Sequence, residues 1–174
     1  MNSVQLHLAF THVPVILSLA GLAMLVIALL KKDPMLTKTA YVFIMLAGIA
    51  ALPVFFSGEG TEEGVENLPG VSEAIIEQHE EVAKLAMISI AAAGILSLTA
   101  LFPFKRLWIA RFLQTVVLIL AITSGGLMAQ TAHLGGQIRH TEIRSGVSGN
   151  AIKAVENAPE VNNSRLNEPH DDEH

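Results

Sequence analysis

Seven histidines and a run of glutamates are the side chains here that could build a redox or metal centre, since the chain contains no cysteine. That absence excludes disulfides, thiolate clusters and covalent c-type haem, so any cofactor must be held by His, carboxylate or Met. Imidazoles can take a haem iron axially, and imidazole with carboxylate suits iron, copper or zinc. His7 and His12 share the stretch His7-Leu-Ala-Phe-Thr-His12-Val-Pro14. His79 lies in Glu77-Gln78-His79-Glu80-Glu81, and His133 in Ala132-His133-Leu134-Gly135-Gly136. Each also has a plain reading. His12 can donate to a carbonyl freed by Pro14, His79 can belong to a solvated helix end, and His133 can favour a helix C-terminus. His170 and His174 read as tail residues. No HExxH and no paired Glu-x-x-His occurs, so neither a zinc protease nor a ferritin-like di-iron site is supported.

The elements that must position these residues are membrane helices. Hydrophobic residues make up 51% of the chain and mean hydropathy is +0.49. Four apolar stretches, roughly Leu6–Leu30, Thr39–Phe56, Lys84–Phe104 and Trp108–Gln130, approach the ~20 residues that cross a hydrocarbon core. Lys31, Lys32 and Lys38 lie between the first two, and Lys105, Arg106 and Arg111 at the turn between the last two. The middle connection instead carries Glu59, Glu62, Glu63, Glu66, Glu73, Glu77, Glu80 and Glu81. Basic loops stay in the cytoplasm, which predicts both termini, the acidic loop and all seven histidines outside. The first span reads as uncleaved, with no basic residue before it and Lys31-Lys32 after it. The net charge of −5 argues against nucleic acid as a partner.

Local signals mark the ends. Pro34 prevents continuation of the first helix, Ser57-Gly58 closes the second, and Ser72 is an N-cap with Glu73 at the positive helix end. The third helix ends near Phe102-Pro103, and Trp108 is an interfacial anchor. The pattern weakens beyond Gly135-Gly136. Short basic turns predict an up-down-up-down bundle, packed along small-residue seams. The expected seams are His7, Thr11, Pro14, Ser18, Gly21; then His79, Val82, Ala86, Ser89, Ala93; then Ile122, Gly126, Ala129, His133, Gly136. Each ends outward in a histidine facing the bundle interior. Counting ~20 residues out from the basic end puts the outer boundary near Thr11, Lys84 and Met128. His7, His79 and His133 then stand roughly 6–8 Å beyond it, with His12 at the boundary.

The N-terminal His-x4-His-x-Pro, the four spans and the ending Ser124-Gly-Gly-Leu-Met-Ala-Gln-Thr-Ala-His133-Leu-Gly-Gly136 resemble an uncharacterised four-helix bacterial membrane family, a domain of unknown function. Its first helix opens His-Pro-x3-His-Phe-Pro. The resemblance covers roughly residues 5–140. His7, His12 and Pro14 match that pattern, while Leu8 replaces its proline and Val13 its phenylalanine. The block from Gly58-Glu59 through Leu68-Pro-Gly-Val-Ser-Glu73 to His79-Glu80-Glu81 looks like a subgroup feature. Members of that family are sometimes fused to c-type cytochrome domains, which implies a redox setting.

The sequence therefore predicts an all-α, N-out/C-out four-helix domain over residues 1–140 of a bacterial inner membrane. Its acidic outer loop is 57–83, and 141–174 forms a polar, disordered external tail. The expected function is haem b binding for electron transfer, as an accessory subunit rather than a stand-alone catalyst. His12 and His133 are the preferred ligands, His79 and His7 the reserves, and Arg139 a propionate partner. The alternatives are an iron, copper or zinc site drawn from His7, His12, His79, His133, Glu59 and Glu80, or a cofactor-free assembly, sensor or transport subunit. Expected partners are membrane lipid, a periplasmic or membrane redox partner and, as an open option, further copies of the chain.

Overall fold

An apolar chain in lipid has no water to satisfy its peptide groups, so it must close its hydrogen bonds within each segment as helix. The computed structural model describes residues 3–65 and 72–139, and among them there is no strand. Five helices follow in order: α1 (Ser3–Phe10), α2 (His12–Lys31), α3 (Pro34–Val65), α4 (Glu73–Ala100) and α5 (Leu107–Arg139). The last four are each long and apolar enough to cross a membrane. They stand in a ring in chain order, α2 beside α3, α3 beside α4, α4 beside α5, and α5 back against α2. This is an up-down-up-down bundle. The tail 141–174, His140 and the middle of the acidic loop lie outside the described residues.

The expected first helix is divided at Thr11. Pro14 has no N–H for the Phe10 carbonyl, so one rung of the ladder is lost there. The Thr11 N–H and hydroxyl both bond the His7 carbonyl, which keeps α1 stacked on α2. At the other end the turn is very short. Lys32 adopts the left-handed conformation (φ 54°) that ends α2, and the Asp33 carboxylate caps α3 through Met35 N (2.8 Å) and Leu36 N (3.1 Å). Pro34 then occupies the first helical position, where a missing N–H costs nothing. Ser72 sits just before α4, as read from the sequence, with extended backbone, but its hydroxyl makes no capping bond. Its carbonyl accepts from Ile75 and Ile76.

Two expected ends are corrected. α3 runs through Ser57-Gly58 to Val65, and α5 runs through Gly135-Gly136 to Arg139. Glycine lowers helix propensity but does not stop a helix that packing holds.

The core is built of small residues, and serines lie inside it. Ser18, Ser97 and Ser124 are buried while Ile16, Ile88 and Ile119 are exposed, the arrangement expected where the outer face meets lipid. Helices approach by backbone. A Cβ on Gly48 would lie 3.0 Å from the Ile90 carbonyl oxygen, and one on Gly21 would lie 2.8 Å from Ile44 Cγ1. The α2 seam (Pro14, Ser18, Gly21) is buried as expected. In α4 the seam runs through Ala86, Ile90 and Ala93, with Ile90 in place of Ser89.

The α5 seam is wrong. Ile122 is 55% exposed, Gly126 has nothing within 4 Å of a built Cβ, and Ala129 and His133 are exposed. The packed face of α5 is Val117, Ala121, Ser124, Met128 and Leu134. The reason is physical: α5 carries small residues on several faces, and apolar periodicity cannot separate a lipid face from a protein face when both are apolar.

Candidate functional site

At the end of the bundle away from the basic turns, two imidazoles turn inward, one from each half of the chain. His7 extends from α1 to α3, where its Nδ1 lies 3.0 Å from the Val54 carbonyl and 3.3 Å from Ser57 Oγ. His79 extends from α4 to α5, where its Nδ1 lies 3.0 Å from the Thr131 carbonyl. A carbonyl can only accept, so in both rings Nδ1 carries the proton. In the neutral ring Nε2 is then the lone-pair nitrogen. Neither Nε2 takes part in a hydrogen bond among the described residues. The two rings lie within electrostatic reach of each other, and Glu80 lies within reach of His79.

A main-chain carbonyl inside a helix is already bonded to the N–H four residues on, and it has a second lone pair to offer. A side chain at that fourth residue would crowd a donor arriving from the side. Here it is glycine both times. Gly58 stands four residues after Val54, and Gly135 four after Thr131. A Cβ on Gly58 would lie 3.6 Å from His7 Cε1, and one on Gly135 would lie 3.3 Å from His79 Cε1. The carbonyl fixes the tautomer in both, and at Gly135 the missing side chain also makes room for the ring, whereas a Cβ on Gly58 would make ordinary contact. The Val54 and Thr131 carbonyls, Ser57, Gly58 and Gly135 were not among the residues expected from the sequence. The available signal was the two glycines, which read there only as helix ends.

The preferred pair, His12 and His133, is not brought together. His12 is exposed at the start of α2, on the face shared with Ile16, Leu19 and Ala23. Its ring makes no hydrogen bond among the described residues, so the contact with a carbonyl freed by Pro14 does not form. His133 is exposed on the outer face of α5, and its Nε2 accepts from the Gln137 amide one turn on, at 2.9 Å. His133 misses the interior because α5 is rotated from its expected seam, whereas His12 stands beside the α2 seam of Pro14, Ser18 and Gly21, which is buried as expected, and so faces out. Glu80 pairs with Lys84 at 3.4 Å along α4. The side chains of Glu59 and Arg139 lie outside the described residues. Among the described residues no three His or carboxylate side chains come together to hold a metal ion. Comparison with family models, with curated proteins and with solved structures finds no match to this chain.

Proposed function

We propose that this chain is a multi-pass protein of a bacterial inner membrane whose outward end holds haem b between His7 and His79 for one-electron transfer. The observation that carries this reading is the pair of imidazoles from separate halves of the bundle, each with Nδ1–H tied to a main-chain carbonyl and Nε2 left as a lone-pair donor. Metal-binding histidines are held this way, since the bond at the far nitrogen fixes the tautomer and orients the ring. Two side-chain ligands are too few for a bare transition ion, which takes three or four. A haem brings most of its iron's ligands itself, and His7 and His79 would supply the rest.

The donor set therefore fits haem b, and it transfers the ligand role from His12 and His133 to His7 and His79. Bound there, haem would supply a one-electron iron couple. The chain's own part is to orient the two imidazoles and keep their Nε2 lone pairs free. The outward orientation rests on charge. Lys31, Lys32, Lys105 and Arg106 share the end with the short turns, and Glu73, Glu77, Glu80 and Glu81 share the histidine end, so the basic end is the cytoplasmic one. The redox setting implied by the family resemblance agrees, and the electron partner would be a periplasmic or membrane-bound carrier.

The test is an absorption spectrum of the purified protein, oxidised and reduced, beside metal analysis. His7→Ala and His79→Ala should each abolish the reduced haem bands, while His12→Ala and His133→Ala leave them in place. Loss of the bands in the outward-facing variants alone would overturn the assignment. Stoichiometric iron, copper or zinc without haem bands would favour a non-haem centre. Neither haem nor metal would favour the cofactor-free subunit.

A further inference from the structure

The two hairpins, α1/α2–α3 and α4–α5, superimpose in sequence at fixed displacements. A displacement of 72 residues, the separation of His7 and His79, carries Pro14, Ser18, Gly21 and Leu25 onto Ala86, Ile90, Ala93 and Ser97. All eight are buried. A displacement of 77 residues, the separation of Gly58 and Gly135, carries Ala40, Ile44, Ala47 and Ala51 onto Val117, Ala121, Ser124 and Met128. These eight are buried too. The same step carries Gly48 onto Gly125, and the Val54 carbonyl onto that of Thr131. Any up-down-up-down ring relates its first hairpin to its second by a twofold along the bundle. Topology alone does not put a histidine, the carbonyl it donates to and the glycine beneath it at matching places in both.

The departures from symmetry have local causes. Gly48 meets α4 at Gly94, where backbones touch, whereas Gly125 meets α2 at Leu19, 3.8 Å from a built Cβ. Leu22 stands where the second hairpin has Gly94, so branched side chains hold α2 and α5 further apart than α3 and α4. Within the hairpins, Gly21 against Ile44 is replaced by Ala93 and Ala121. A small–large pair becomes two small residues, and the volume is shared differently.

We propose that the bundle is a tandem duplication of one helical hairpin, and that His7 and His79 are the equivalent halves of a single site on its pseudo-twofold axis. One ligand is shared between them; the two imidazoles do not each bind their own. That the ligand is haem rests on the functional reading above, but the shared position does not.

Because the chain has no cysteine, the geometry can be read without a ligand. A full-length chain carrying His7→Cys and His79→Cys should be bridged within one molecule by a short bifunctional thiol reagent. The repeat-related pair His12→Cys and Lys84→Cys, both exposed on outward faces, should not be. Failure of the inner pair to bridge, or equal bridging of both pairs, would overturn the proposal. The second arm needs no cysteine. Ferric haem added to the purified full chain should bind one per chain. His7→Ala and His79→Ala should weaken it to a similar degree, each by tenfold or more, and the double variant should be little worse than either. Two haems per chain, or one histidine variant binding as the parent does, would count against a shared site. Bridging without haem binding would sink the haem reading alone and leave the duplicated site standing.

Discussion

His79 on α4 donates its Nδ1–H to the Thr131 carbonyl of α5 at 3.0 Å, over a glycine that leaves the ring just enough room. The same relation joins His7 to Val54 over Gly58. Two helical carbonyls that accept lateral donors set the chemistry of this end of the bundle, and at Gly135 the missing side chain clears the ring.

The first prediction concerns that clearance. Gly135→Val should push the His79 ring off the Thr131 carbonyl, because a Cβ already falls 3.3 Å from Cε1 and the branches add to it. Overpacking of this kind costs about 1–3 kcal/mol. Gly58→Ala should be tolerated, its Cβ meeting His7 at an ordinary 3.6 Å. Ligand titration and thermal unfolding in detergent would check both. Equal tolerance at the two glycines would show that the ring does not rest where the structure puts it.

Helix faces give the second. Gly48→Leu should lower the unfolding temperature, since its Cβ meets a main-chain oxygen at 3.0 Å and backbone cannot step aside. The expected cost is about 1–3 kcal/mol. Gly126→Leu should be close to neutral, because that position opens to the surroundings. Thermal unfolding of the two variants side by side decides it, and a reversed order would mean that α5 is rotated.

The third prediction addresses the α2–α3 turn. Asp33→Ala removes the cap from Met35 and Leu36 and should cost about 1 kcal/mol. Lys32→Gly should have the opposite sign, raising stability by up to about 1 kcal/mol, because a residue with a Cβ is strained at φ 54° and glycine is not. The readout is again the unfolding midpoint in detergent.

Orientation supplies the fourth. A reporter active only in the cytoplasm should be silent when fused to the C-terminus and active when inserted beside Lys105-Arg106. This is the sense expected from the basic residues of both turns. A signal from the C-terminal fusion would place the histidines on the cytoplasmic side and remove the periplasmic partner from the proposal.

Much of the fold was legible because single residues carried it. Apolar runs of membrane length could only be helices. Pro34 marked the end of the first helix and Ser72 the start of α4, and two short basic turns left the ring little choice of order. The inward pair of histidines was a different matter. His7 lies 47 residues from the carbonyl it reaches, and His79 lies 52 from its own. Such contacts depend on how far each helix is rotated about its axis. In a water-soluble bundle, polar residues would mark the outer face and fix that rotation from sequence. Here the outer face is as apolar as the inner one, and the buried polar groups Ser18, Ser97 and Ser124 point the other way. So the sequence determined that four helices are long and apolar enough to cross a membrane, and which end holds the histidines. Only close packing at Gly21, Gly48 and Gly94 decided which faces meet, and thereby that His7 reaches Val54 and His79 reaches Thr131 while His12 and His133 face outward.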